Sequence, residues 1–168
     1  LEKHGLDKNT MVIFSSDNGP VLNDGYYDDA VEKNGDHKPA GPWRGGKYSN
    51  FEGGTRVPFI VSWPGHTAPG TTSDALVCQI DFMASFAELT EQTLGDDAGP
   101  DSLNTMDALL GRSATGRDHL VEHARALALR QGNWKLIEPN AGPAKNQNTN
   151  TEVGAANGAQ LYNLSTDP

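Results

Sequence analysis

Asn9-Thr10-Met11-Val12-Ile13-Phe14-Ser15-Ser16-Asp17-Asn18-Gly19-Pro20 is the stretch on which the reading of this chain turns. Residues 10–15 form a short apolar run that favours extended backbone. From Ser16 to Pro20 polar turn formers take over, which predicts a strand ending where Asp17 begins. In a parallel α/β sheet such a strand end is where ligands gather. Asp17 and Asn18 there offer a carboxylate and an amide carbonyl, hard oxygen donors suited to Ca²⁺ or Mg²⁺. An ordinary Asp-Asn-Gly turn uses the same residues. Two donors also fall short of the about six to eight oxygens that a calcium ion takes.

Downstream, residues 21–54 carry no sustained apolar period, so a long ordered loop is expected, with one short helix around Asp28 to Glu32. A loop of that length inside a domain needs a functional reason. Its end, Trp43-Arg44-Gly45-Gly46-Lys47-Tyr48-Ser49-Asn50-Phe51-Glu52-Gly53-Gly54-Thr55-Arg56, sets three cations among two glycine pairs and three aromatic rings. Backbone without a Cβ lets a ligand come close, while Lys47 or Arg44 offers charge to an anion. The competing reading makes Lys47 a solvated lysine and has Glu52 pair with Arg56 or Arg44 to pin the loop. His37, between Asp36 and Lys38, is a candidate donor to a substrate oxygen or simply an exposed histidine. No phosphate-loop or dinucleotide fingerprint occurs, so ATP and NAD lose their usual support.

Further along, Val57 to Trp63 predicts a second strand, with Pro58 either outside the ladder or before its start. Ile80 to Leu89 has helical apolar spacing, with Asp81 placed to face the positive helix end. Upstream, Leu1 to Leu6 reads as a helix tail ending near Gly5. Met106 to Leu110 suggests one more helical turn, after which the texture changes. His119–Ala124, Ala126–Arg130 and Asn133–Ile137 are short strand-like segments fitting a small antiparallel sheet, with Leu161–Leu164 as a final edge strand. Residues 140–160 are poor in large apolar side chains and read as a surface excursion. A strand-like context argues against a zinc site at His119 and His123, and Cys78 reads as a small buried residue. Asp28-Asp29 and Asp96-Asp97 read as solvated acids, and the acceptor triplet Asn163-Leu164-Ser165 lies in a strand where glycosylation is not expected.

The 168 residues suffice for one core. With 22 acidic against 13 basic residues the net charge is −9, which argues against nonspecific nucleic-acid binding. One cysteine excludes an internal disulfide and a Cys-rich zinc site. The longest apolar runs are too short for a transmembrane segment, and the first residues do not look like a signal peptide.

Together Asn9–Pro20, Gly45-Gly46-Lys47, Phe51-Glu52-Gly53-Gly54-Thr55-Arg56-Val57-Pro58 and Trp63-Pro64-Gly65 resemble the C-terminal portion of a type I, arylsulfatase-like sulfatase. That family belongs to the alkaline-phosphatase-like superfamily. Gln79-Ile80-Asp81, Trp134-Lys135-Leu136-Ile137 and Leu161-Tyr162-Asn163-Leu164 before Asp167-Pro168 add to the likeness. The resemblance implies an α/β fold: the distal part of a mixed-sheet catalytic domain over residues 1–111, then a small antiparallel α+β subdomain over 112–168. It implies sulfate-ester hydrolysis, with Asp17 and Asn18 as ligands of Ca²⁺, or of Mg²⁺ as the alternative. Lys47 falls on the lysine that holds the sulfate, whereas His37 and Arg44 match substrate-side residues only loosely.

The chain also departs from the family. These sulfatases carry a Cys- or Ser-x-Pro-x-Arg motif whose first residue becomes the nucleophilic formylglycine. Cys78 is followed by Gln79-Ile80-Asp81-Phe82, and Ser113-Ala114-Thr115-Gly116-Arg117 lacks the proline. The expectation is therefore a segment of a larger enzyme, inactive alone, whose partner is an N-terminal segment of the same protein bearing formylglycine. A sulfated carbohydrate or an aryl sulfate ester is the expected substrate. The compartment implied by the resemblance alone is periplasmic, secreted or lysosome-like. A phosphate or phosphonate ester hydrolase of the same superfamily and a noncatalytic carbohydrate-binding or structural module are the alternatives.

Overall fold

A computed structural model describes residues 1–167; Pro168, the last residue of the Asp167-Pro168 pair, lies outside the described residues. Contacts group the chain into two compact units that interleave in sequence. Leu1–Phe14 joins Phe59–Leu120, and Ser15–Pro58 joins Val121 onward. The sequence step at 111/112 thus lies within the first unit, while the strands expected after it fall chiefly in the second.

In the first unit, β1 (Val12–Ser15) and β2 (Phe59–Ser62) form a two-stranded sheet. Pro58 precedes β2, so its missing N–H interrupts no ladder. Val12, Phe14 and Ile60 are exposed large apolar side chains of these two strands. Instead of an α-helix, a 3-10 turn at Glu2–His4 ends at Gly5, whose φ of 63° closes it in the left-handed region. Helix α3 comes later, at Phe82–Leu89, preceded by a 3-10 turn at Gln79–Asp81. Its Phe82 ring lies 6.0 Å from Phe59 and 5.3 Å from Phe86. Asp81 stands at the start of this helix, as expected, but its carboxylate makes no hydrogen bond to the helix amides. It is fully buried, takes Arg117 through both oxygens at 2.7 and 2.8 Å, and accepts from the Leu103 amide at 2.9 Å. A buried carboxylate is tolerable only when so paired, which outweighs the weak attraction of a helix end. Short helix α4 (Met106–Leu109) buries Met106, Ala108 and Leu109.

In the second unit, β3 (His119–His123), β4 (Leu127–Gln131), β5 (Trp134–Ile137) and β6 (Gln160–Asn163) form a sheet in that order. β4 pairs antiparallel with β5, and β5 with the edge strand β6. Ala128, Ile137 and Lys135 point inward, with Phe51 and Tyr162 completing the apolar core. Leu129, Leu136 and Leu161, which stand opposite one another across the strands, remain exposed on the other face. The long loop contains α1 (Ala30–Asn34), shifted by two residues from the expected helix, and α2 (Glu52–Thr55). Residues 140–160 are not a loose excursion. Antiparallel bridges Asn140–Ala156 and Lys145–Glu152 fold them into a hairpin, and Val153 is completely buried. One well-placed valine anchors a segment whose composition is otherwise polar.

Candidate active site

The turn after β1 and the glycine-rich loop meet backbone to backbone. Gly19 N–H donates to Gly54 O at 2.8 Å, and Lys47 N–H donates to Pro20 O at 2.9 Å. A Cβ on Gly19 would lie 1.8 Å from Gly53 O, and one on Gly46 would lie 2.6 Å from Pro20 O. Glycine is required at both positions because backbone oxygens occupy the side-chain space. The segments carrying Asp17-Asn18 and Lys47 are therefore fixed side by side. We expect Gly19→Ala to destabilise this unit by about 1–3 kcal/mol, the usual cost of overpacking a tight site. An unchanged midpoint in urea unfolding would refute the tight fit.

Lys47 is half-buried, and its ammonium sits 5.5 Å from the centre of the Tyr48 ring. Among the described residues it has no acidic partner. Tyr48 takes a φ of 75°, a left-handed conformation uncommon for a bulky residue and usual only where surroundings impose it. Two residues further on, Asn50 ties the loop down. Fully buried, it donates from Nδ2 to Ala126 O at 2.8 Å and accepts from Arg125 and Ala126 N–H at 3.3 Å.

Beneath the loop lies a buried ionic cluster that sequence reasoning did not find. Lys135 Nζ is 2.9 Å from Glu52 Oε1, 2.5 Å from Glu122 Oε2 and 3.2 Å from Thr55 Oγ1. Arg130 approaches Glu52 Oε2 to 3.2 Å. Glu52 does pin the loop, and Arg56 reaches it at 3.7 Å, but Lys135 and Arg130 are its nearer partners. Arg44 pairs elsewhere. Its Nε stands 2.8 Å from Glu152 Oε2 and its guanidinium lies 4.2 Å from the centre of the Phe51 ring. The hydrogen bond to Glu152 raises the Arg44 pKa, and the same bond lowers that of Glu152.

The turn presents two hard oxygen donors. Asn18 Nδ2 donates to Gly19 O at 2.9 Å, which commits the amide nitrogen and leaves Oδ1 as the available donor. Asp17 is exposed, and among the described residues its carboxylate has no hydrogen-bond or ion-pair partner. Two adjacent hard oxygens fit a Ca²⁺ or Mg²⁺ ion as a partial ligand set. No cluster of three or more His, Cys, Asp or Glu side chains suited to a metal occurs among the described residues.

Other candidates fall outside this grouping. His37 is exposed just after α1; its backbone bonds to Asn34, while its ring shows no tie to Lys47 or Arg44. His119 and His123 lie exposed on β3. Cys78 is half-buried rather than buried, since it sits at the entrance to the 3-10 turn. Asp29 forms an exposed pair with Lys33 at 3.2 Å. Asn163 Oδ1 is engaged by Ser165. No helix among the described residues is long and apolar enough to cross a membrane.

A carboxylate and an amide at a strand end thus stand on a turn bonded through its backbone to the glycine-rich loop that carries Lys47. Residues 1–92 match the family model described as Sulfatase. The chain is 47% identical to the N-acetylgalactosamine-6-O-sulfatase of Bacteroides thetaiotaomicron over its full length, covering 33% of that protein. Arylsulfatase A of Homo sapiens is 30% identical over 98% of the chain, again covering 33% of the relative. A solved structure from work on glycosaminoglycan metabolism by Bacteroides thetaiotaomicron superposes with a TM-score of 0.94 at 47% identity. It is matched over 99% of this chain and 35% of its own length. A sulfatase from Pseudoalteromonas sp. superposes with a TM-score of 0.72 at 27% identity, over 99% of this chain and 33% of its own. The chain belongs to the sulfatase family of hydrolases and has its alkaline-phosphatase-like α/β fold. It spans about a third of the length of these two curated relatives.

Proposed function

We propose that these residues form part of the active site of a sulfuric-ester hydrolase acting on sulfated carbohydrate, with N-acetylgalactosamine 6-sulfate as the first substrate class to test. The observation that carries this reading is the Lys47 ammonium, free of acidic partners among the described residues, on a loop bonded directly to the Asp17–Pro20 turn. Lys47 is assigned to hold the sulfate through a charge-assisted hydrogen bond that strengthens as negative charge shifts to the leaving side. Asp17 and Asn18 would hold a divalent ion, most simply Ca²⁺, which supplies positive charge to the sulfuryl oxygens. The nucleophile is assigned to a formylglycine outside these 168 residues.

The substrate preference follows the name of the 47% identical relative, which acts on N-acetylgalactosamine 6-O-sulfate by that name. The test is sulfate release by the full-length protein, with formylglycine verified by mass spectrometry, from galactosamine 6-sulfated saccharides and from an aryl sulfate. Faster turnover of the saccharide is expected; release from neither would overturn the activity, and a preference for the aryl ester would overturn the substrate class. For the metal, Asp17→Ala should weaken Ca²⁺ binding by about tenfold or more in a calorimetric titration. Unchanged affinity would remove Asp17 from the ligand set.

A further inference from the structure

The Arg44 guanidinium, expected on the substrate side, is held between an aromatic ring and an acid from a distant hairpin. We propose that Glu152 acts through Arg44 as a positioning residue for Lys47, so that the 145–152 hairpin sets how well the loop grips sulfate. This rests on the assignment of Lys47 as the sulfate contact.

Three contacts tie the returning arm of that hairpin to the loop. The Thr151 methyl lies 3.4 Å from the position a Cβ would take on Gly46, immediately before Lys47. Glu152 holds Arg44 through Nε at 2.8 Å, with Nη2 at 3.4 Å from its other oxygen. Val153 O accepts from Asn50 N–H at 3.2 Å. The hairpin is itself closed, since Lys145 bridges Glu152 and Asn146 N–H donates to Thr151 O at 2.8 Å. Arg44 is equally fixed on its other side. Its carbonyl accepts from Gly53 N–H at 2.8 Å and its guanidinium covers the buried Phe51 ring. Glycines at 45 and 46 give the backbone between Arg44 and Lys47 little stiffness of its own. Besides the direct bond from Lys47 N–H to Pro20 O, the placement of Lys47 thus has an anchor at either end: Arg44–Glu152 before it and Asn50 after it. An arginine so committed is poorly placed to bind substrate directly, because its planar fork already has a carboxylate partner.

The pair is partly exposed, with side chains 48% and 40% accessible, so its removal should have a measurable but limited effect without unfolding the protein. The experiment is steady-state kinetics on the full-length enzyme carrying Glu152→Gln, Arg44→Glu, Glu152→Arg and the swapped double variant Arg44→Glu/Glu152→Arg. Each single change should lower kcat/KM by about two- to fivefold, the scale of an exposed ion pair. The swap should recover most of that loss, and Glu152→Gln should have no further effect once Lys47→Ala is present. The proposal is overturned by a swapped enzyme no better than its single parents, which makes Arg44 a direct contact, or by additive losses with Lys47→Ala, which make the pair merely structural. If Glu152→Gln matches wild type while Lys47→Ala is impaired, the clasp alone fails. If Lys47→Ala matches wild type, the sulfate assignment fails and the clasp with it.

Discussion

Replacing Lys47 with alanine in the full-length enzyme is expected to lower kcat by about 10², the effect typical of losing one electrostatic donor aimed at developing charge. The size follows from where the lysine sits. Its ammonium is half-buried, touches no acid among the described residues and has only the Tyr48 ring nearby, at 5.5 Å. A lysine neutralised by a neighbouring carboxylate would lose much of its pull on an anion; this one keeps it. The backbone bond from Lys47 N–H to Pro20 O does not involve the side chain, so the variant should retain the loop's main-chain fixation. Loss in kcat with a smaller change in KM would mark an interaction that strengthens in the transition state. A rise in KM at unchanged kcat would reduce Lys47 to ground-state binding, and no change in either would remove it from the site. Lys47→Arg is expected to recover only part of the rate, because a planar fork replaces a compact point charge on a shorter reach to the anion.

Lys135→Met is expected to destabilise the protein by about 3–5 kcal/mol, the cost of stranding buried charge after one partner is removed. Lys135 is 1% exposed and stands between two carboxylates, Glu52 at 1% and Glu122 at 8%. Without the ammonium, Glu52 keeps Arg130 and the more distant Arg56, whereas Glu122 loses the cation beside it. Two acids forced together in a poorly hydrated space repel one another, so one must take up a proton or the site must open. Adding Glu122→Gln to Lys135→Met should recover part of the loss, since one uncompensated charge is gone. Guanidinium unfolding of the three proteins checks this; a loss below about 1 kcal/mol for Lys135→Met would mean that water already reaches the cluster. Activity should fall as well, because Glu52 begins the α2 turn whose Gly53 and Gly54 meet Arg44 and Gly19.

Much of this site was legible because it is local. The β1 segment, the break at Ser16, the adjacent donors Asp17 and Asn18, and the glycine pairs flanking Lys47 can be recognised from neighbouring residues alone. So can the short strands of the final sheet, whose turns lie close in sequence. The sheet's inner face is a different matter. In Trp134-Lys135-Leu136-Ile137 an alternating pattern assigns Trp134 and Leu136 to one face and Lys135 and Ile137 to the other. Composition favours burying the tryptophan and leucine, yet Lys135 and Ile137 are inside. The reason is a charge some eighty residues away in sequence: Glu52, buried under the glycine loop, needs cations, and the Lys135 face of β5 supplies the nearest of them at 2.9 Å.

Arg44 illustrates the same limit. Its charge and its place beside Gly45-Gly46-Lys47 suggested an anion contact, whereas Glu152, 108 positions further along, claims its guanidinium. The sequence by itself determined which residues have the chemistry for metal and sulfate and which backbone segments must come close enough to require glycine. Tertiary structure alone decided which charges neutralise one another and so which cation is left for a ligand. Pairing of that kind depends on desolvation and on distances between segments remote in the chain, and neither quantity is carried by a local pattern of residue types.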